Sequence, residues 1–317
     1  MTNHVIAALP IEAQPYLESQ MPVGVEVRWF NGKADALIAG KEATVGWFDI
    51  GQRDDFAEAV RNATKLKWLF TKLAGVDGLP LAELADRNII FTNCPGLAAP
   101  TVSEYVLLGM LSIAKGYREI VKAEMKHEWL ANPPGKVELM GSSALIVGYG
   151  SIGRMIEERL KAFGVQVTVV RRTPVSGEHA LGPTQWRARL GEFDWIILTA
   201  PSTAKTKHMI GTAELSAMKK SAVLVNVARG SLVDQVALVK ALDQRDIAAA
   251  FLDVTEPEPL PSDHPLWALE NAHITMHLSG RSRTHEIPLT AKRFLENLHR
   301  YCEGKPLLYQ VDLKLGY

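Results

Sequence analysis

Ala144-Leu145-Ile146-Val147-Gly148-Tyr149-Gly150-Ser151-Ile152-Gly153 is the stretch on which the fold turns. Four consecutive apolar residues ended by glycine read as a strand buried on both faces. The spacing G-x-G-x-x-G then opens onto Arg154 to Phe163, a run of helix formers, and Val165 to Val170 reads as the next strand. Strand, glycine turn, helix and strand in that order suit a dinucleotide. Glycines allow a tight turn and a close approach of backbone to pyrophosphate, while the helix N-terminus offers N–H groups and positive dipole to the anion. A turn used only for helix packing is the plainer alternative, and the flanking elements argue against it.

Working outward, the alternation of strand and helix continues through Trp195 to Thr199, Ala222 to Val225, Ala249 to Leu252 and His273 to Met276, which completes six strands of a doubly wound sheet. Toward the N-terminus, His4 to Leu9, Val25 to Trp29, Ala43 to Phe48, Lys67 to Thr71 and Asn88 to Phe91 read as shorter strands. Asp54 to Thr64 and Leu79 to Arg87 carry helical spacing, so this part is a smaller parallel α/β lobe. A break rich in proline and glycine, Asn93 to Pro100, precedes Thr101 to Lys115, a nearly all-apolar helix expected to be buried on most sides. The tail from Thr284 holds one helix, Leu289 to Glu303, and a short apolar end. That is too little for a core of its own, so it is expected to pack back on the first lobe. The expectation is an α/β, two-lobed chain with a Rossmann dinucleotide-binding domain over residues 99–284 and a discontinuous smaller domain over 1–98 and 285–317.

At 317 residues the chain exceeds the usual single domain, and 47% hydrophobic with 22% charged residues is an ordinary globular composition. Lys plus Arg and Asp plus Glu each number 35, so no strong field favours nucleic acid or an anionic membrane; a local basic pocket is still allowed. Cys94 and Cys302 suggest neither a disulfide framework nor a metal site, and fit a reducing cytoplasm. Residues 1–20 show no basic leader, their apolar run being broken by Pro10 and Glu12, and no apolar run reaches membrane-spanning length.

The second strand of the larger sheet ends in Arg171-Arg172-Thr173, where an NAD-binding protein offers a carboxylate to the ribose hydroxyls. Two guanidinium groups suit a 2′-phosphate, so NADP(H) is expected over NAD(H); two solvated surface charges are the alternative. Three polar residues stand where later strands end: Arg229 in Asn226-Val-Ala-Arg-Gly230, Glu258 in Asp253-Val-Thr-Glu-Pro-Glu-Pro259, and His277 in Thr275-Met-His-Leu-Ser-Gly280. Reducing a 2-keto acid needs a cation for the carboxylate, an acid for the developing alkoxide and a cofactor facing the carbonyl carbon. Taken singly, the histidine reads as structural, the Arg-Gly as a turn and the Glu-Pro run as a solvated loop; together they meet one reaction's needs.

In these segments the chain resembles the D-isomer-specific 2-hydroxyacid dehydrogenases, glyoxylate and hydroxypyruvate reductases above all. The likeness is carried by Ala74-Gly-Val-Asp77, Asn93-Cys-Pro-Gly96, Ser103-Glu104, the glycine loop, Asn226-Val-Ala-Arg-Gly230, Leu252-Asp-Val254, Glu258-Pro259 and His277, with Asp253 standing 24 positions after Arg229 and 24 before His277. It implies that the smaller domain is flavodoxin-like and binds substrate. It further implies that Arg229 holds the substrate carboxylate and keto oxygen, that His277 is the general acid, that Glu258 supports the imidazolium, and that the backbone at Ala74 and Gly75 binds the carboxylate. Asp253 would take the nicotinamide carboxamide, and Thr101, Ser151, Ile152, Pro201, Thr206, Val227, Ala228, Ser279 and Gly280 would line the cofactor cleft with the glycines, Arg229 and His277. Tyr117 to Pro134, with Trp129, resembles the family's dimer arm, so a homodimer is expected, or else a loop closing over its own domain.

The chain departs from the family at Met276, where proline is frequent, and at Arg281 and Arg283, where small or neutral residues are. Those cations suit a second anionic group on the substrate or contact with a partner subunit. Trp47, Phe48 and Trp267 are either core or pocket wall. Formate enzymes of this superfamily carry glutamine where Glu258 stands, which disfavours formate. The competing class is a dinucleotide-sensing binding protein or corepressor with little turnover, which loses ground because Arg229, Glu258 and His277 are all intact, although residues do not certify flux.

Overall fold

The computed structural model describes residues 4–173, 179–281 and 284–315. Arg283, named above for its charge, lies outside them. Short apolar runs alternating with helices produce a five-stranded and a seven-stranded sheet, and every neighbouring pair of named strands is parallel. The chain divides into two compact units, one of Met1–Leu97 with Ser282–Tyr317 and one of Ala98–Arg281.

The first unit carries β1 (Val5–Pro10), β2 (Val25–Phe30), β3 (Val45–Trp47), β4 (Trp68–Phe70) and β5 (Ile90–Thr92) in the order β2-β1-β3-β4-β5, the flavodoxin-like arrangement. The helix Glu286–Cys302 completes its core, because Phe294 stacks on Trp68 at 5.1 Å and lies 5.6 Å from Trp47. Trp47 and Phe48 are fully enclosed in this packing. They are therefore core rather than pocket wall. The helix Gly32–Gly40 is not announced by its sequence, since it begins and ends in glycine and shows little contrast between its faces.

The second unit carries β6 (Ser143–Val147), β7 (Gln166–Val170), β8 (Ala180–Leu181), β9 (Trp195–Leu198), β10 (Val223–Asn226), β11 (Ala249–Leu252) and β12 (Ala272–Ile274) in the order β12-β11-β10-β9-β6-β7-β8. This is the Rossmann order with one further strand, and it reverses between β6 and β9, where such sheets open a crevice at their carboxyl ends. β8 is the strand that sequence periodicity missed, being only two residues long. The helix Ala99–Lys115 buries Val102, Val106 and Met110, and at Gly109 it lies so close to Phe251 that a Cβ would stand 2.5 Å from the ring. It buries one stripe rather than most sides, leaving Leu108 half exposed. Among the described residues no helix is long and apolar enough to cross a membrane.

Candidate active site

β10, β11 and β12 are neighbours, about 4.8 Å apart, and the loops leaving their carboxyl ends carry Arg229, then Asp253 and Glu258, then His277. His277 Nδ1 stands 2.7 Å from Glu258 Oε2. An ionised carboxylate only accepts, so Nδ1 carries the hydrogen of this bond and Nε2 is left to hold or release a proton. The other oxygen of Glu258 accepts Thr255 N–H at 3.1 Å, which fixes the carboxylate's orientation. Both peptide bonds at Glu256-Pro257 and Glu258-Pro259 are cis.

The loop bearing the histidine wraps around Asp253, which is buried at the end of β11. Its carboxylate accepts Thr275 Oγ1 at 2.7 Å, Leu278 N–H at 3.0 Å, Ser279 N–H at 3.2 Å and the Ser279 hydroxyl, and its backbone oxygen accepts His277 N–H at 2.5 Å. Met276 and His277 both adopt left-handed backbone, with φ of 52° and 56°. Each such residue costs of order 1–3 kcal/mol, and persists where surrounding bonds impose it. Here those bonds come from Asp253. In this structure the side chain holds the histidine loop; its assignment to a carboxamide rests on the family resemblance.

Arg229 is placed by Asn226, whose Oδ1 accepts Ala228 N–H at 3.1 Å and whose Nδ2 donates to Arg229 O at 2.9 Å. The turn so formed keeps Val227 and Ala228 buried and has Arg229 Nη1 donating to Ala228 O at 2.7 Å. Gly230 lies against the Glu258 loop, where a Cβ would sit 2.0 Å from Thr255 O. Backbone contact thus locks the arginine loop onto the glutamate loop. In the sequence Asn226 and Gly230 are only members of a motif; their bracing role appears with the fold.

At the end of β6 the glycines divide into two kinds. A Cβ at Gly148 would stand 2.6 Å from Ala200 N and one at Gly153 2.5 Å from Gly148 O, so packing alone requires those two. Among the described residues nothing lies within 4 Å of the Cβ position at Gly150, so their packing gives no reason for that glycine, whereas an approaching pyrophosphate does. Gly150 caps the helix Ser151–Ala162 without a side-chain hydrogen bond, Ser151 is exposed and Ile152 half-buried, and the N–H groups of a helix's first turn have no partner within the helix. The loop therefore fits a dinucleotide. Thr206 Oγ1 donates to Pro201 O at 2.7 Å in the loop after β9, and Ser202 and Ser231 hydroxyls, 2.9 Å apart, tie that loop to the one bearing Arg229. Thr101 lies half-buried in the first turn of its helix, and Gly280 approaches Ala98 there.

β7 is followed by half-buried Arg171 and by exposed Arg172 and Thr173; residues 174–178 lie outside the described residues. The guanidinium of Arg171 is 5.8 Å from the centre of the Tyr149 ring, and that of Arg154 is 4.6 Å from it. The Tyr149 hydroxyl donates to Glu157. Burial of Glu157 opposes its charge, yet hydrogen bonds from Lys161 and Tyr149 prevail and lower its pKa. In the sequence Tyr149 stands out by nothing, because the x of G-x-G carries no signal of its own.

In the first unit, Ala74 and Gly75 lie in the loop after β4. That loop is pinned by Asn93 Nδ2 donating to Ala74 O at 2.7 Å and by Asp49, which accepts Thr71 Oγ1 at 2.5 Å, Lys72 N–H at 2.6 Å and Trp47 Nε1 at 2.7 Å.

The family described as D-isomer specific 2-hydroxyacid dehydrogenase, NAD binding domain, matches residues 107–279. The chain is similar to a glyoxylate reductase of Korarchaeum cryptofilum, with 34% identity over 256 residues, 78% of this chain and 77% of that protein. Among solved structures, a D-isomer specific 2-hydroxyacid dehydrogenase family protein from Aeromonas salmonicida superposes with a TM-score of 0.87 at 28% identity, covering 98% of this chain and 99% of that one. The NADPH-dependent glyoxylate/hydroxypyruvate reductase of Sinorhizobium meliloti, in complex with NADP and malonate, gives 0.77 at 25% identity, with 99% and 98% covered. Fold, glycine loop and strand-end residues agree with these likenesses: the chain belongs to the D-isomer specific 2-hydroxyacid dehydrogenases, oxidoreductases that use a nicotinamide dinucleotide.

Proposed function

We propose that this protein reduces a small 2-keto acid of the glyoxylate or hydroxypyruvate type to the D-2-hydroxyacid, with NADPH preferred over NADH. The observation that carries the reading is the 2.7 Å pair of His277 and Glu258, held on strand ends next to the one bearing Arg229. Bound cofactor supplies the hydride to the carbonyl carbon. His277 gives the proton at Nε2 to the carbonyl oxygen as negative charge develops there, and Glu258 stabilises the imidazolium from which it leaves. Arg229 neutralises the substrate carboxylate and polarises the keto oxygen. Ala74 and Gly75 are assigned the carboxylate, and the residues of 1–98 and 285–317 the substrate-binding role. Gly148, Gly150, Ser151, Ile152 and Gly153 take the pyrophosphate, with Arg171, Arg172 and Thr173 at the 2′-phosphate. The names of the Korarchaeum and Sinorhizobium proteins support this substrate class, and the second supports NADPH.

The test is NADPH oxidation, followed by absorbance, with glyoxylate or hydroxypyruvate. Wild type turns over and His277→Ala loses kcat by about 10²- to 10⁴-fold, the usual worth of a positioned general acid. Equal rates in the two proteins would reject the acid, and no turnover on a broad keto-acid panel would favour the dinucleotide sensor. A cytoplasmic homodimer completes the reading, supported by two free cysteines and by exposed apolar residues on the segment Tyr117 to Pro134.

A further inference from the structure

We infer that Tyr149 is a specificity-determining positioning residue: its ring, set between two glycines of the pyrophosphate loop, holds the Arg171 guanidinium in place for the cofactor's 2′-phosphate. The inference rests on the NADPH reading above.

The geometry runs through two adjacent strand ends. β6 and β7 are paired along their whole length, and Gly148 N–H donates to Val170 O at 3.1 Å, so the residues that follow each strand emerge side by side. Tyr149 spans them. Its ring lies 5.8 Å from the Arg171 guanidinium beyond β7 and 4.6 Å from that of Arg154 on the helix that follows the glycines. Its hydroxyl is tethered to Glu157, two turns along the same helix, so the ring cannot swing freely. A guanidinium within about 6 Å of an aromatic centroid is attracted by the ring's quadrupole. A long arginine side chain otherwise loses rotamer freedom when it grips an anion, and a preset side chain loses less. An adenosine that lacks the 2′-phosphate presents no anion at this position, so the ring's hold on the guanidinium adds nothing to its binding. Tyr149 therefore acts on discrimination between the two cofactors.

Isothermal titration with two probes, adenosine 2′,5′-bisphosphate and adenosine 5′-monophosphate, separates the possibilities without turnover. Wild type is expected to bind the bisphosphate more tightly, and Arg171→Ala to lose most of that preference. Tyr149→Ala and Tyr149→Leu should weaken the bisphosphate roughly 2- to 30-fold, the range of one cation–π contact, and leave the monophosphate unchanged. Tyr149→Phe, which keeps the ring face, should restore most of the loss. In a double-mutant cycle the effects of Tyr149→Ala and Arg171→Ala should be less than additive. Equal weakening of both probes would mean that Tyr149 merely shapes the loop, and an unchanged bisphosphate affinity would show that the ring does not position Arg171; either result overturns the inference while the NADPH reading stands. A wild type that binds the two probes equally would instead overturn the NADPH reading, and the inference with it.

Discussion

At the scale of single residues, each unit has carboxylates whose work is to hold other groups. Glu258 orients the imidazole, Asp253 holds the loop that presents it, and Asp49 pins the loop carrying Ala74 and Gly75. At Asp49 the fold resists ionisation: desolvation raises its pKa, against the hydrogen bonds from Lys72, Thr71 and Trp47 that favour the anion. A carboxyl raised on folding binds protons more tightly in the native state. Its stabilising contribution is thus complete below the unfolded-state pKa and is lost as pH rises through the folded one. Several other carboxylates, Asp194 among them, are lowered and have the opposite slope, so the net curve of the protein hides the effect. The difference between wild type and Asp49→Asn isolates it. Urea unfolding from acid to neutral pH should show wild type losing ground steadily to the variant, and a flat difference would mean that Asp49 ionises as freely in the folded chain as in the unfolded one.

At the scale of elements, strand ends brought together by the sheet were legible, and the bracing between their loops was not. Ala144 to Val147, Ala222 to Val225 and Ala249 to Leu252 are buried on both faces, so each reads as a continuous apolar run and its end marks the crevice. Local signals failed where tertiary packing decides. β8 forms because two residues happen to reach the edge of β7, and the left-handed backbone at Met276 and His277 is imposed by Asp253, 23 and 24 positions earlier. The contact of Gly230 with Thr255 likewise joins residues that no periodicity relates. Since a Cβ there would stand 2.0 Å from a backbone oxygen, with no flexible side-chain end to yield, Gly230→Ala must push the β10 and β11 loops apart. Overpacking of this kind costs about 1–3 kcal/mol, readable as a lower urea midpoint. It should also displace Arg229 relative to Glu258 and His277, lowering kcat/KM by up to ~10²-fold, as a misplacement near 1 Å does. An unaltered kcat/KM in a destabilised variant would separate the brace from the chemistry.

At the scale of the whole molecule, the homodimer proposed above would draw on exposed apolar residues of the second unit. Trp129 is 98% exposed, and Leu108, Tyr117, Met125 and Trp267 are each at least 42% exposed. Leu108, Tyr117 and Trp267 line, with Phe251 and Ile274, a groove of about 350 Å³. Arg118 caps the groove's edge strand by donating to Ala272 O at 3.0 Å. The expected homodimer would use this face in a two-fold interface, the exposed Tyr117, Met125 and Trp129 of each copy meeting the groove of the other. Burying a tryptophan removes 150–250 Å² from water, roughly 4–6 kcal/mol before ordering costs, and symmetry makes the contact twice. With about 2 kcal/mol lost per truncated anchor, Trp129→Glu should weaken a dimer by at least ~10³-fold. Sedimentation at micromolar concentration should therefore show wild type at twice the monomer mass and the variant at the monomer mass. A wild type that sediments as a monomer, or a variant that stays dimeric, would assign the groove to something other than a second copy of this chain.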